Sequence, residues 1–184
     1  MSFTSQFEDA LVFATRLHQN QTRKGNKTPY IGHLLSVAGL VIEDGGSEAE
    51  TIAALLHDAI EDQGGEATRQ EILHRFGEEV TRIVDYCTES TETPKPPWKE
   101  RKLRYIEQIK QGDVAVCRVS LADKLHNARS LFQQYQQQGD TVWTFFRGGK
   151  ADTLWFYHQL LPLYQQRLES PMCQDLADIL DQLA

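Results

Sequence analysis

The sequence predicts an all-α protein forming a single compact multi-helical domain, and three observations carry that prediction. Apolar residues recur at three- and four-residue spacing along most of the 184 residues. Helix starts and stops accompany them: Thr4-Ser5, Pro29, Ser47 and Thr68 precede periodic runs, and Gly45-Gly46, Gly64-Gly65, Gly77, Gly112 and Gly148-Gly149 fall between them. Only Val116 to Val119 could pass for a strand, and no second segment offers it a partner.

The elements follow in order. Thr4 or Ser5 caps a first helix with Phe7, Ala10, Leu11, Ala14 and Leu17 on one face, ending near Asn20. Residues 21–29 form a basic loop with Arg23, Lys24 and Lys27, turning at Gly25 and Asn26. Pro29 opens a second helix, where Ile31, Leu34, Leu35, Val37, Ala38, Leu40 and Val41 make a broad apolar face and His33 lies in the first turn. Ser47 and Glu50 form a capping box for a third helix, read as continuous through Asp62. Thr68 caps a helix that Gly77 ends, and 78–88 form the next. Three prolines exclude a regular helix from 89–97, a flap or rim. A basic helix occupies 98–110 and a buried one 113–135, with 133–138 as a frayed end. Helices over 151–168, kinked at Pro162, and 171–183 complete one domain over 1–184, its core spanning about 5–165.

Composition narrows the function. The formal net charge of −7 argues against general nucleic-acid binding, while leaving room for a local basic pocket. No apolar run is long enough to span a bilayer. Cys87, Cys117 and Cys173 form no paired spacing, and the N-terminus is acidic rather than signal-like, so a reduced, cytoplasmic protein is expected.

The chemistry concentrates where Ala53-Ala54-Leu55-Leu56 runs into His57-Asp58 and Glu61-Asp62. On a continuous helix Glu61 lies one turn beyond His57, and Asp62 one turn beyond Asp58. Polar groups at a core edge need hydrogen bonds or a cation, unless the helix leaves the core and its acids face water. Asp123 follows its own greasy run, Val119-Ser120-Leu121-Ala122, and either joins such a site or pairs with Lys124 or Arg129. His33, His57, Asp58 and Asp123 together make a mixed nitrogen–oxygen set that suits manganese, iron or zinc better than calcium or magnesium. Four such ligands leave open positions in an octahedral shell.

These residues match the H…HD…D pattern of the HD-domain metal-dependent phosphohydrolases. Thr22-Arg23-Lys24, Pro29-Tyr30-Ile31-Gly32-His33, Leu55-Leu56-His57-Asp58-Ala59-Ile60-Glu61-Asp62 and Leu121-Ala122-Asp123-Lys124-Leu125-His126-Asn127 resemble the hydrolase domain of the RelA/SpoT family, above all its stand-alone small alarmone hydrolases. The resemblance implies one Mn²⁺ held by His33, His57, Asp58 and Asp123, with Glu61 and Asp62 orienting a water and taking its proton. It implies removal of the 3′-diphosphate of guanosine 3′,5′-bis(diphosphate), ppGpp, or of its 5′-triphosphate relative. It places Arg23 and Lys24 against the base and a nearby phosphate, Asn127 at the ribose, Lys102 towards the diphosphates and Tyr157 in the nucleotide pocket. A solvated basic loop, an exposed basic helix and a core tyrosine are the plain alternatives for Arg23-Lys24, Lys102 and Tyr157. The chain departs from the family in the proline-rich Pro94-Lys95-Pro96-Pro97, in Gly25 and in Thr153. Another nucleotide, such as an adenosine alarmone or a 5′-nucleotide, fits the same metal chemistry, and a non-catalytic nucleotide-binding domain is the third reading. The sequence says nothing of oligomeric state.

Overall fold

Capping residues set several of the helix starts. In the computed structural model, which describes residues 2–23 and 27–184, the Thr4 hydroxyl accepts the Gln6 N–H at the start of α1 (Ser5–Leu17). Tyr30 precedes α2 (Ile31–Glu43). The capping box of α3 (Glu48–Leu56) is complete: Ser47 takes the Glu50 N–H, and the Glu50 carboxylate takes the Ser47 N–H at 2.5 Å. There follow α4 (Ala59–Asp62), α5 (Glu66–Cys87), α6 (Trp98–Gln111), α7 (Val114–Gln138), a 3₁₀ helix (Gly139–Phe145), α8 (Gly149–Gln165) and α9 (Pro171–Leu183). Among the described residues the only β-type pairing is an isolated bridge between Thr22 and Pro29, so the fold is all-α.

Several sequence expectations need correction. The helix read as continuous to Asp62 breaks at the His57-Asp58 pair: Asp58 sits at φ −99°, ψ 0°, and the chain resumes as the single turn α4. At the break the His57 ring serves the Ala54 carbonyl, with Nδ1 at 2.8 Å. Thr68 is not a cap; α5 starts at Glu66, and the buried Thr68 hydroxyl donates to the Gln63 carbonyl at 2.5 Å. The glutamine-rich stretch is not frayed, since α7 stays helical to Gln138. Leu35, assigned to the buried face of α2, is 47% exposed. The break at Gly77 does occur, at φ +83°, a backbone conformation that glycine adopts without a Cβ clash.

Helix α7 runs through the middle and packs on α2, α3, α5, α6, α8 and α9. Its first half is mostly buried from Val116 to Leu125, with Arg118 and Lys124 only half-buried and engaged in ion pairs. One apolar core extends from Ala10 to Leu180, so α9 belongs to it through Met172, Cys173, Leu176 and Leu180. A smaller cluster joins Leu131, Val142, Trp143 and Leu183. The mutual packing of α2, α3 and α7 brings the first turn of α2, the end of α3 and the middle of α7 to one place.

Candidate metal centre

Residues 52–56 of α3 are completely or almost completely buried, which fixes where His57 emerges. Burying each such leucine contributes about 1.5–3 kcal/mol, so this end of the helix is firmly held. His33, His57 and Asp58 each offer a donor atom within 4.8 Å of one another. Asp58 Oδ2 lies 3.0 Å from His57 Nε2 and 3.6 Å from His33 Nε2. Asp123, from α7, places Oδ1 at 3.2 Å from His33 Nε2 and 3.5 Å from His57 Nε2. Both Nε2 atoms are buried, yet neither makes an aligned hydrogen bond among the described residues. The side chain of Asp58 is 23% exposed while the other three are nearly closed off, so solvent reaches the group from the Asp58 side.

The surrounding contacts set the roles of the imidazole nitrogens. A carbonyl only accepts, so the Ala54 oxygen takes the proton on His57 Nδ1, which makes Nε2 the atom that can bind a cation once it gives up its own proton. His33 Nδ1 lies 2.8 Å from His126 Nδ1. Burial, together with the neighbouring His33 and Arg23, pulls His126 down to about 4, so its ring is neutral and can accept that proton. Tyr30 donates its hydroxyl to Asp58 Oδ2 at 2.5 Å. Lys124 donates to Asp123 Oδ2 at 2.6 Å, and Asn127 donates to Asp123 Oδ1 at 2.6 Å. Burial opposes the charged forms of His57, Asp58 and Asp123. The His57–Asp58 pairing nevertheless outweighs it, holding His57 well above and Asp58 well below their ordinary values. Lys124 and the two imidazoles do the same for Asp123, well below the carboxylate range.

Two buried imidazole nitrogens that face two ionised carboxylates without aligned hydrogen bonds fit a divalent cation. Its binding would displace the His57 proton and engage both Nε2 atoms, and the contacts behind them are of the kind that orient metal ligands.

The acid pair is outside the three-residue donor group and makes its own contacts. Glu61 is engaged at both oxygens: Oε2 accepts the Glu89 N–H at 2.9 Å and Oε1 meets Lys95 Nζ at 2.6 Å. Asp62 Oδ2 accepts from Gln21 Nε2 at 2.8 Å, and burial and the nearby Asp58 raise its carboxyl above the ordinary range. Segment 89–97 is stitched down: Arg101 pairs with Glu89 and donates to the Pro96 carbonyl at 3.1 Å, and Arg104 meets Glu92 at 2.7 Å. Lys102, expected to face phosphates, instead pairs with Glu89 at 2.5 Å and lies against the Phe156 ring. Arg23 lies over the Tyr30 ring and donates to Asn127 Oδ1 at 2.6 Å. Tyr157 is buried in the main core, with Lys124, Asp123 and Arg23 charges nearby, and burial pushes its hydroxyl up to about 12. Lys24 lies outside the described residues.

Sequence reasoning assigned no role to His126, Tyr30, Gln21 or Lys95. Helical spacing signals two of them: Tyr30 precedes His33 by three residues, and His126 follows Asp123 by three. Gln21 and Lys95 reach the site from a loop and a proline-rich segment, where no periodicity points.

The HD domain family model matches residues 10–152. The human guanosine-3′,5′-bis(diphosphate) 3′-pyrophosphohydrolase MESH1 is 38% identical over 133 residues, covering 71% of this chain and 72% of its own. The solved structure of a metazoan ortholog of SpoT that hydrolyzes ppGpp superposes with a TM-score of 0.82 at 24% identity, covering 99% of this chain and 97% of its own. A Listeria monocytogenes EGD-e protein, lmo0812, superposes with a TM-score of 0.73 at 29% identity, covering 88% of this chain and 99% of its own. With its His-His-Asp cluster at the meeting of three helices and this family match over most of its length, the chain belongs to the HD-domain family, on its MESH1- and SpoT-type branch.

Proposed function

We propose that this chain is a divalent-metal-dependent pyrophosphohydrolase that removes the 3′-diphosphate of ppGpp and of its 5′-triphosphate relative, leaving GDP or GTP. The observation that carries the reading is the pair of buried, unaligned Nε2 atoms of His33 and His57 converging with Asp58 and Asp123. The 3′-pyrophosphohydrolase activity of human MESH1, with 72% of its length aligned here, supports the substrate.

His33, His57, Asp58 and Asp123 would hold the ion, manganese being favoured by the mixed imidazole and carboxylate donors. When bound, the cation supplies Lewis acidity, which lowers the pKa of a water towards neutrality. Asp62 takes the proton of the attacking water; its raised carboxyl pKa makes it a stronger base than an exposed aspartate. The water oxygen bonds to the phosphorus attached to the 3′ oxygen, the bond between those two atoms breaks, the 3′ oxygen gains a proton, and pyrophosphate leaves. Glu61 fastens segment 89–97 beside the site through Lys95 and the Glu89 N–H. Arg23 and Lys24 receive the base and a phosphate, Asn127 the ribose, and Tyr157 backs the pocket. Lys102 reaches a diphosphate only by leaving Glu89. The buried free thiols Cys87, Cys117 and Cys173 support a cytoplasmic setting.

The test is purified protein loaded with Mn²⁺ and assayed with guanosine and adenosine 3′-diphosphates and with 5′-nucleotides. Pyrophosphate released from ppGpp is the expected result. Free phosphate from 5′-nucleotides with ppGpp inert would overturn the assignment.

A further inference from the structure

We infer that Gln21 is a positioning residue for the reaction: its side-chain amide fixes the orientation of the Asp62 carboxylate. The inference rests on the reading of Asp62 as the proton acceptor. Asp62 closes α4, a helix of a single turn set between the broken His57-Asp58 pair and the Gly64-Gly65 turn. One turn nucleates poorly and holds its side chains weakly, so the acid needs an outside partner. Gln21 supplies one from 41 residues away, with Nε2 at 2.8 Å from Asp62 Oδ2.

The sense of that amide is locked. An ionised carboxylate only accepts, so the Gln21 nitrogen must face Asp62. The Gln21 oxygen then faces His18 Nδ1 at 2.7 Å and the Gln63 side-chain nitrogen, and both must donate to it. A flipped amide would set N–H against N–H and oxygen against carboxylate. His18 is itself packed in: it is buried and stacks on Tyr30 with ring centroids 5.4 Å apart. The main chain of Gln21 is tied as well, its carbonyl accepting the Tyr30 N–H at 2.9 Å. Tyr30 in turn donates to Asp58. One connected assembly, His18, Gln21, Tyr30 and Gln63, therefore grips both a candidate metal ligand and the acid. Among the described residues no other side chain donates to Asp62; the charges near it are Asp58, Glu61 and Lys95.

The experiment compares wild type with Gln21→Leu, Asp62→Asn and the double variant. In the metal-free protein, NMR titration of the Asp62 carboxyl should move to higher pH in Gln21→Leu, because the lost N–H favoured the ionised form. In the Mn²⁺-loaded protein, kcat for pyrophosphate release should fall about 10²-fold, the cost of misplacing a reacting group, with KM and the metal-induced rise in Tm unchanged. The double variant should be no slower than Asp62→Asn, since Gln21 acts through Asp62. An unmoved titration, a kcat within about twofold of wild type, or a double variant slower than Asp62→Asn would overturn the inference. Should Gln21→Leu fail to fold, Gln63→Leu removes one of the two donors to the Gln21 oxygen; a smaller loss of kcat with unchanged KM is expected, and no loss overturns the inference. Absence of turnover in the wild type would instead overturn the functional reading, and the NMR titration would still decide whether Gln21 governs Asp62.

Discussion

Replacing Asp58 and Glu61 in turn by alanine separates metal holding from turnover. Asp58 Oδ2 lies 3.0 Å from His57 Nε2 in the three-residue donor group, whereas both Glu61 oxygens are taken by the Glu89 N–H and Lys95. An ion that binds only the native state stabilises it by about 2.7 kcal/mol at a hundredfold excess over Kd. For a chain of this length 1 kcal/mol moves Tm by about 2–4 °C, so saturating Mn²⁺ should raise the wild-type Tm by about 5–11 °C. Glu61→Ala leaves one N–H without its acceptor, costing about 1–3 kcal/mol, and breaks an ion pair whose lysine is 42% exposed, costing about 1 kcal/mol or less. Its metal-free Tm therefore falls, but its rise on adding Mn²⁺ should remain 5–11 °C by the same arithmetic, about that of wild type. Asp58→Ala should lose that rise at the same metal concentration. Differential scanning fluorimetry with and without Mn²⁺, each variant referenced to itself in EDTA, reads this directly, and pyrophosphate release should be abolished in Asp58→Ala and reduced in Glu61→Ala. If Glu61→Ala loses the rise as Asp58→Ala does, Glu61 is a ligand and the division of roles is wrong.

Three further outcomes follow from the geometry. Burial disfavours a charged His57, but Asp58 and Asp123 hold its pKa well above the ordinary value, so the metal-free protein carries a proton there at neutral pH that the cation must expel. Metal affinity should then fall as pH drops through the neutral range, and calorimetry in buffers of different ionisation enthalpy should show net proton release on binding; zero protons would contradict it. Asp62, raised by burial and by Asp58, contributes its stability below its unfolded pKa of about 3.9 and loses it as pH rises through the folded value. Asp62→Asn should accordingly be more stable than wild type to urea at pH 7, an advantage that shrinks in acid, while turnover falls about 10²- to 10⁴-fold. Ser47→Ala removes the capping-box acceptor for Glu50 N–H, which should cost about 1 kcal/mol and lower Tm by about 2–4 °C without changing the Mn²⁺-induced rise.

Much of the fold was legible because local and global signals agree. The capping box at Ser47 and Glu50, the apolar stripe of α2 and the mostly apolar first half of α7 each point to the element that forms. His33, His57-Asp58 and Asp123 were legible for a related reason: each follows or interrupts a greasy run that could only be buried, and the structure brings all four together. The substrate side was less so. Lys102 was read from its charge and helix, but whether an ammonium is free depends on partners distant in sequence, here Glu89 thirteen residues earlier. Gln21 and Lys95 could not be found at all, because loop residues carry no period and their contacts to Asp62 and Glu61 span 41 and 34 residues.

The break at His57-Asp58 is where propensity and structure part, and it explains the layout of the site. Ala, Leu and Glu favour a helix that runs on to Asp62, and on such a helix Glu61 would share a stripe with His57. That arrangement would crowd imidazole and acids onto adjoining stripes beside one cation. With Asp58 at ψ 0° the chain turns instead. His57 and Asp58 meet α2 and α7 through His33 and Asp123, while Glu61 meets segment 89–97 and Asp62 meets the loop after α1. The lost helical hydrogen-bonding regularity is partly offset by the His57 ring bond to Ala54, which also presents Nε2 to the site. One ten-residue stretch, 53–62, thus feeds two separate sets of partners: one that ionises and holds carboxylates around two imidazoles, and one that keeps an acid basic and aimed. A local departure from helical geometry, rather than any added residue, separates the two tasks.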